Sequence, residues 1–520
     1  MRTIKQLGKW MLLLAVPLLI ALSCGKSFLD VPPQGQITEE QVLTDPNAAT
    51  NLVTGVYNTL YFGGFGNNTV GFLMAFAGDV TSDNSDKGST AGDYSAGGQL
   101  DNFTFTPAND IFNNLWLGHY QAIARTNKAI DILNTSTIDE TVKRRLLGEV
   151  RFLRGLYYFN LVRMFGGVPK ITRVLTPAEV NSDEIQIRAS AADIYKLIEE
   201  DLQYGVDNLP VKGDAGATIG RATKGAAQGL LAKVYLYEKN YQKAFDLSSA
   251  VITSGRYALT DDYAGMFREV GANNSESIFE VQTGTHRGQT NCDAVSQIYS
   301  NGQGPRSKAA WRNNVNGLQY DGDLGFGLNT PSADLANAYE PGDTRRAGTI
   351  IFINATGGAN AGTLLWDGFR IPTQDSVENQ RYNYKAYHSP FRETASCNGY
   401  TDKDYKPKNI RILRYAEVVL IYAEAAARLG NGDGTTKLNE LRAKRNLGTT
   451  TGTVDNVWKE RRVELAMEHD RFFDLVRQGR AGTVMRAHGK AFVDGKHELF
   501  PIPQIQRDLS GNRLTQNPNY

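Results

Sequence analysis

The stretch that decides the fold is residues 142–169, VKRRLLGEVRFLRGLYYFNLVRMFGGVP. Apolar side chains recur along it at a spacing of three or four residues, which places them on one face of a helix. This stripe consists of Leu146, Val150, Leu153, Tyr157 and Leu161. Further apolar residues widen it on both sides, so the helix needs neighbours on more than one side. Gly166, Gly167 and Pro169 end it, because glycine favours helix termination and proline disfavours a helical residue before it. The stretch predicts a buried helix in a helical stack.

The overall composition excludes some classes of protein. The chain has 520 residues and a formal net charge of +1, which gives no electrostatic reason to expect nucleic acid or an anionic membrane surface as a partner. Aromatic residues make up 10% of the chain, and glycine occurs 52 times. This balance indicates a folded protein with much irregular, aromatic-bearing surface, and it argues against disorder.

The N-terminus predicts export. Three basic residues precede an apolar segment, residues 10–22, that is too short to span a bilayer comfortably. Residues 21–24 (ALSC) resemble a bacterial lipobox with Cys24 as the acylated first residue, although leucine is more usual at its first position. Ordinary cleavage after Ser23 is the alternative, since small residues also precede that bond. The lipobox is favoured because it explains the cysteine, and both hypotheses make residues 1–23 a signal peptide.

The remaining cysteines and the histidines predict no metal site and no cofactor. Whether Cys292 and Cys397 pair stays open, because a disulfide depends on the separation of their Cα atoms. The six histidines are scattered without the spacing of metal ligands. Residues 83–88 (DNSDKG) begin like an EF-hand loop, but Lys87 stands where an oxygen ligand belongs. A calcium site of another kind stays open.

Helical periodicity returns on both sides of a long irregular region. The further predicted helical stretches are residues 47–60, 116–133, 191–209, 223–254 and 414–429. Within one of them, Ala232 and Ala244 stand at the spacing of a tetratricopeptide unit, in which small residues let two antiparallel helices approach closely. One such unit cannot bury both of its faces, so it implies stacked partners.

Two stretches are predicted to be irregular. Residues 74–106 are polar and rich in Gly, Ser and Asp, and we expect a long loop there. Residues 257–408 are rich in Gly, Asn and aromatic residues, with short β-prone runs at 277–282 and 349–353. We interpret 257–408 as an irregular lobe that holds the ligand. It separates two sets of helical repeats, at about 40–255 and about 410–480.

A charged run at residues 460–477, ERRVELAMEHDRFFDLVR, is the place to look for catalytic carboxylates. Glu460, Glu464 and Glu468 fall four residues apart, so their like charges face one another along a helix unless cations intervene. Arginines of this run and of the preceding helix can supply those cations. Structural ion-pair networks can resemble active sites, so a cluster of carboxylates and arginines is weak evidence for catalysis. We therefore interpret this run as a structural ion-pair network.

Several motifs, taken in chain order, resemble the SusD/RagB family of outer-membrane nutrient-binding lipoproteins. They are Trp116-x3-Tyr120-x2-Ile123-x3-Asn127, the organising helix with its Phe165-Gly166-Gly167-Val168-Pro169 end, Arg414-Tyr415-Ala416-Glu417, and residues 501–520. The resemblance is weakest over residues 257–408. It implies one all-α unit, residues 24–520, made of tetratricopeptide-like helical repeats (an α-α superhelix) with the irregular inserted lobe and a few short strands.

The resemblance also implies a function. The protein is expected to capture a nutrient, a glycan before a peptide, and to pass it to a TonB-dependent β-barrel transporter. A lipid such as palmitate on Cys24 would hold it in the outer membrane, facing the cell exterior, and it would not be an enzyme. Two alternatives stay open. One is a surface glycoside hydrolase, which needs two carboxylates a few ångströms apart. The other is a transporter-associated scaffold without its own ligand site.

The chemistry of sugars guides the choice of candidate residues. Sugar rings present faces of C–H bonds edged by hydroxyls, so a binding site needs exposed aromatic planes with polar side chains around them. Trp116 lies on a helical stripe and is assigned to the core. The resemblance places ligand groups in the segment before the Trp116 helix and in the irregular lobe. The predicted ligand-binding residues are Asp79, Asp83, Asn84, Tyr94, Trp311, Arg312, Tyr320 and Trp366.

Overall fold

The computed structural model describes most of the chain. The described residues are 38–283, 298–308, 324–357, 361–393, 406 and 408–520, with the backbone alone at 312–315 and 318–321. The predicted signal peptide, Cys24, Cys292, Cys397 and Trp311 lie outside these ranges.

The first half of the chain is a stack of helices. They are α1 (Glu39–Thr44), α2 (Pro46–Tyr57), α3 (Phe72–Ala75), α4 (Ser95–Asn102), α5 (Asp110–Thr135), α6 (Glu140–Phe165), α7 (Asp183–Gln186), α8 (Ala191–Asn208), α9 (Lys224–Tyr237) and α10 (Tyr241–Thr253). Helix α6 packs against α5 and α8, α8 packs against α9, and α9 packs against α10. Ala232 of α9 and Ala244 of α10 have no exposed surface, and the two helices pack against each other. This is the close helix packing that the tetratricopeptide spacing predicted.

Helix α6 is the buried helix that the organising stretch predicted. Asp139 caps its start by accepting hydrogen bonds from the backbone N–H groups of the first turn. It ends at Gly166, whose φ of +72° favours glycine. Gly148 and Gly155 bring α6 close to α8, since a Cβ added at either would lie 3.1 Å from a leucine side chain. Trp116 on the neighbouring α5 is buried, which confirms its assignment to the core.

The lobe and the C-terminal helices make up the second half. The strands of the described structure are β1 (Ser85–Gly88), β2 (Ser277–Val281), β3 (Arg312–Val315), β4 (Leu318–Asp321), β5 (Leu328–Pro331), β6 (Ile350–Phe352), β7 (Thr363–Leu364), β8 (Arg370–Ile371), β9 (Arg381–Asn383) and β10 (Ile410–Arg414). The helices of this half are α11 (Ile298–Gln303), α12 (Ala333–Ala338), α13 (Arg345–Thr349), α14 (Tyr415–Leu429), α15 (Asp433–Lys444), α16 (Val454–Glu464), α17 (Arg471–Arg477), α18 (Ala481–Ala487) and α19 (Gln504–Leu509).

Short antiparallel strand pairs connect the lobe to the helices. The pairs are β1–β5, β2–β10, β3–β4, β6–β9 and β7–β8. The β-prone runs at 277–282 and 349–353 are confirmed as β2 and β6. Strand β10 leads directly into α14, and α14 packs against α10, α15 and α16. The lobe is therefore inserted between two helical parts that contact each other.

The prediction of a long loop at residues 74–106 is wrong. Helix α3 continues into a π-helical turn (Phe76–Val80), and β1 and α4 follow it. Most of this segment is buried, and β1 pairs with β5 of the lobe in the register Ser85↔Pro331. Asp79 and Asp83 of this segment bond to His469 and Arg471, hundreds of residues later in the chain. These partners allow polar side chains to be buried, so the polar sequence did not indicate an exposed loop.

The charged run at 460–477 forms the predicted ion-pair network. Glu464 has no exposed surface and accepts hydrogen bonds from Arg345, Arg414 and Arg445 at 2.9 to 3.2 Å. These arginines come from α13, the end of β10 and the end of α15. Glu468 bonds to Arg414 as well. The network therefore ties the lobe to the end of β10 and to helices α15 and α16.

Acid should destabilise this fold. Burial raises the pKa of Glu464, but its three arginine partners outweigh burial and hold that pKa well below its usual range. A carboxylate whose pKa is lower in the folded than in the unfolded state contributes stability above its unfolded pKa and loses it as the pH falls. We expect the free energy of unfolding to hold down to about pH 5 and to fall below about pH 4, near the ordinary carboxyl pKa. Urea unfolding curves between these pH values would measure it, and constant stability to about pH 3 would contradict it.

Candidate functional site

An exposed aromatic ring lies where the lobe meets the first helices. Phe65, in the segment after α2, is 36% exposed. Its ring packs edge-on against Tyr94 and Phe72, with centroids 4.9 and 5.6 Å away, and Phe326 of the lobe lies at 6.1 Å. Asn114 of α5 donates a hydrogen bond to the Phe65 carbonyl oxygen at 3.0 Å. The ring is held by three parts of the chain while much of it faces solvent.

Polar side chains lie beside the residues that hold this ring, since Asp93 precedes Tyr94 in the chain and Arg306 and Asn379 lie next to Gly327, which follows Phe326. Ser89 Oγ donates to Asp93 Oδ2 at 2.7 Å, and Arg306 Nη1 lies 2.7 Å from the same oxygen. The backbone N–H of Ser89 donates to Asn379 Oδ1 at 3.1 Å. The hydrogen bond from Ser89 lowers the pKa of Asp93, so its carboxylate is ionised at neutral pH. We call this the Phe65 surface. Its members are Phe65, Ser89, Asp93, Tyr94, Arg306, Phe326 and Asn379.

The loop that carries Ser89, Asp93 and Tyr94 is fixed from beneath. Lys87 Nζ donates to the carbonyl oxygens of Thr90 and Asp93 at 2.6 and 2.8 Å, which closes the loop around an ammonium group. Tyr94 then takes a left-handed backbone conformation with a φ of +46°, and α4 follows directly. Burial raises the pKa of Tyr94, so its hydroxyl stays neutral. The surface is therefore largely preformed, which reduces the entropy that binding costs.

Three of the predicted ligand-binding residues lie in the interior, each no more than 1% exposed. They are Asp79, Asp83 and Asn84. Asp79 pairs with His469 Nδ1 at 2.7 Å, and Asp83 accepts two hydrogen bonds from Arg471 at 2.7 and 2.9 Å. Asn84 accepts one from an arginine of α16. A side chain without accessible surface cannot contact a ligand in this conformation. The structure thus corrects the ligand assignment and gives all three a bracing role.

The other predicted residues are distributed among three places. Tyr94 belongs to the Phe65 surface. Arg312 and Tyr320 lie in the β3–β4 hairpin, of which the backbone alone is described, and Trp311 precedes β3. Leu324 N donates to Pro305 O at 3.0 Å, which joins described residues on either side of this hairpin next to Arg306.

Trp366 lies in the turn between β7 and β8, where its ring stacks on Arg268, a residue that is not a member of the Phe65 surface. The sequence reasoning missed the other members of the Phe65 surface, which are Phe65, Ser89, Asp93, Arg306, Phe326 and Asn379. The glycines on both sides of Phe65 were the one local signal that could have pointed to an exposed aromatic residue there.

Two features are absent from the residues that the structure describes. In those ranges no helix is both long enough and apolar enough to cross a bilayer. The same ranges contain no group of three or more His, Cys, Asp or Glu side chains placed to hold a metal ion.

The fold and the Phe65 surface together define a class, that of tetratricopeptide-like repeat proteins with an inserted lobe and an exposed aromatic site. Two family models match the chain. One is described as "Starch-binding associating with outer membrane" and matches residues 27–236, and the other is described as the SusD family and matches residues 275–520. The chain belongs to the SusD family, which confirms the resemblance and the all-α fold.

Individual relatives cover most of the chain. A SusD-like protein of Bacteroides ovatus is 26% identical, over 90% of this chain and 82% of its own length. The starch-binding protein SusD of Bacteroides thetaiotaomicron is 26% identical, with 81% of each chain covered. Among solved structures, a laminarin-binding SusD-like protein has a TM-score of 0.75 and 29% identity, over 91% of this chain and 99% of its own.

Proposed function

We propose that this protein captures a glycan at the Phe65 surface and passes it to a TonB-dependent β-barrel transporter. Family membership supports the class of function, and the two relatives named for starch and laminarin support a glycan as the ligand. The protein would be attached to the outer membrane, facing the cell exterior, by a lipid on Cys24. One family model carries an outer-membrane description, which supports this location.

The observation that carries the proposal is the exposure of Phe65 beside fixed polar groups. A sugar face can stack on the ring, while Asp93 accepts hydrogen bonds from hydroxyls and Arg306 donates them. The described residues on either side of the β3–β4 hairpin meet next to Arg306, and the predicted contacts from Trp311, Arg312 and Tyr320 remain part of the proposed site.

The electrostatics of the Phe65 surface favour binding over glycoside hydrolysis. A hydrolase needs a general acid whose pKa is raised, next to a second carboxylate. The pKa of Asp93 is shifted in the opposite direction, because Ser89 donates a hydrogen bond to its ionised form. Asp93 is therefore suited to accept hydrogen bonds from a sugar and poorly suited to protonate a glycosidic oxygen.

The substitution Phe65→Ala should weaken glycan binding about tenfold or more. Capture followed by release to a transporter calls for dissociation constants of roughly millimolar to micromolar, which correspond to about 4 to 8 kcal/mol. One stacking aromatic commonly supplies about 2 kcal/mol of such a total. Calorimetric titration with laminarin and with starch-derived oligosaccharides measures the change, and a peptide panel tests the alternative ligand.

The matched control for this substitution is Tyr204→Ala. Tyr204 is a half-buried aromatic on α8, stacked on Arg151 at 4.3 Å, and it is not a member of the Phe65 surface. The Tyr204→Ala variant should bind glycans as tightly as the wild type does. Equal binding by the wild type and Phe65→Ala, with equal melting temperatures, would move the site elsewhere. Binding of no glycan and no peptide by the wild type would favour the scaffold alternative.

A further inference from the structure

Trp366 is a partly exposed tryptophan on a rigid turn of the lobe. It is 38% exposed. The next residue, Asp367, is buried and accepts hydrogen bonds from the Tyr387 hydroxyl at 2.5 Å and from Phe369 N at 2.9 Å. Phe369 has no exposed surface and packs into a hydrophobic cluster of the lobe. The turn is therefore fixed on one side of Trp366, while the indole itself stays accessible.

The plane of the Trp366 indole is fixed as well. The guanidinium carbon of Arg268 lies 4.2 Å from the ring centroid. Arg268 Nε and Nη2 donate to the Tyr384 hydroxyl at 3.0 and 2.8 Å, and Tyr384 is buried in the same lobe cluster. The guanidinium thus covers one face of the indole, and the exposed part of Trp366 remains available to a ligand. A ligand that stacks there meets an aromatic plane that binding does not have to order.

The Trp366 turn and the Phe65 surface are connected to one short segment. The Tyr382 hydroxyl accepts a hydrogen bond from the backbone N–H of Asn379, which belongs to the Phe65 surface. Tyr384, two residues later, holds Arg268 beneath Trp366. Two residues of extended backbone span only about 7 Å. The two aromatic sites are thus distinct in their contacts and are supported by β9 and the residues that flank it.

We propose that Trp366, supported by Arg268, is a second stacking platform for the same glycan. The inference rests on the proposed function and specifies its substrate class, an extended polysaccharide strand that engages both Phe65 and Trp366. A strand that reaches both platforms gains affinity through effective concentration, whereas a short oligosaccharide occupies one of them.

A protein partner is the competing class of ligand for this turn. Stable protein interfaces bury about 800 Å² on each partner around an apolar centre. The turn offers a single indole between a buried carboxylate and an exposed glycine, Gly368, with Leu364 as a small apolar flank. This arrangement suits the narrow face of a sugar ring better than a protein surface.

Chain-length dependence tests the second platform. Wild type, Trp366→Ala and Phe65→Ala would be titrated with laminarin and with laminari-oligosaccharides of two to six units, and in parallel with a maltooligosaccharide series. In the wild type, affinity should rise with length. Trp366→Ala should lose that rise and bind laminarin about fivefold more weakly or worse, while its affinity for the shortest ligand stays unchanged. Phe65→Ala should weaken binding at every length.

Two variants guard against a folding artefact. Leu364→Ala removes an exposed apolar side chain from the same hairpin and should keep the wild-type length dependence. Trp366→Phe keeps an aromatic plane and should restore most of the lost affinity. Melting temperatures of the Trp366 and Leu364 variants should match the wild type, because neither residue belongs to the lobe cluster.

Each outcome decides between the two proposals. If Trp366→Ala keeps the wild-type length dependence while Phe65→Ala loses affinity, the second platform is refuted and the proposed function stands. If the wild type binds no member of either series, the proposed function fails and the second platform fails with it. If Trp366→Ala keeps its glycan affinity but loses binding to the purified transporter, the turn is a protein contact and the inference is wrong.

Discussion

Replacing Glu464 by glutamine should lower the free energy of unfolding by about 3 to 5 kcal/mol, because it removes one partner from a buried ion-pair network. Glu464 has no exposed surface, and Arg345, Arg414 and Arg445 all donate to it. Glutamine preserves the volume but carries no charge, and its amide nitrogen would face guanidinium groups. The three arginines would keep their positive charges in the interior with less compensation, and that is the origin of the cost.

Urea unfolding at neutral pH measures the effect of Glu464→Gln. The matched control is Glu440→Gln, since Glu440 is an exposed carboxylate paired with Lys437 at 2.7 Å on α15. Surface pairs of this kind contribute about 0 to 1 kcal/mol, so the control should lie close to the wild type. Equal stability of the two variants would mean that the network does not brace the fold. Loss of glycan binding by a stably folded Glu464→Gln would assign the network to function.

The helices could be predicted because their signals are local. In α6 the apolar spacing, the glycines after Phe165 and the proline beyond them lie within one stretch, and the structure has its helix there. The tetratricopeptide spacing in α9 and α10 is equally local. Glu460, Glu464 and Glu468 suggested ion pairs from their spacing alone, although the sequence could not show that one of the partners would be Arg345, far away in the lobe.

The buried segment before α5 could not be predicted for the opposite reason. Asp83 looks like a loop residue in sequence, because aspartate is mostly exposed and its neighbours are polar. In the fold it pairs with Arg471, nearly four hundred residues later, and that pair makes its burial tolerable. No local periodicity reports such a pairing. The ligand residues were predicted from the region of the chain in which they lie. That region contains bracing residues such as Asp83 as well as Tyr94, and the prediction included both.

The Phe65 surface illustrates the same limit at the site itself. Phe65, Asp93, Arg306 and Asn379 come from four separate segments of the chain, and each is unremarkable in its own surroundings. Their meeting depends on the β1–β5 pair, which joins a segment before α5 to the lobe. Sequence reasoning could place a site in the lobe, but it could not select the residues that the tertiary structure brings to it.

Replacing Cys24 by alanine should release the protein from the outer membrane almost completely. Each methylene of a buried acyl chain contributes about 0.8 kcal/mol, and stable anchoring needs more than one chain. Cleavage after Ser23 would still export the variant, because small residues precede that bond. Membrane fractionation and labelling with radioactive palmitate measure the change.

The control for Cys24→Ala is Cys292→Ala, which removes another of the three cysteines and should stay in the membrane fraction and keep the label. Because a transporter could retain an unlipidated protein, fractionation should be repeated in cells without the transporter, and the label is the deciding measurement. Palmitate on Cys24→Ala would refute the lipobox hypothesis. The released variant should bind glycans with wild-type affinity, since the Phe65 surface is built from residues 65–379 and the anchor lies outside it.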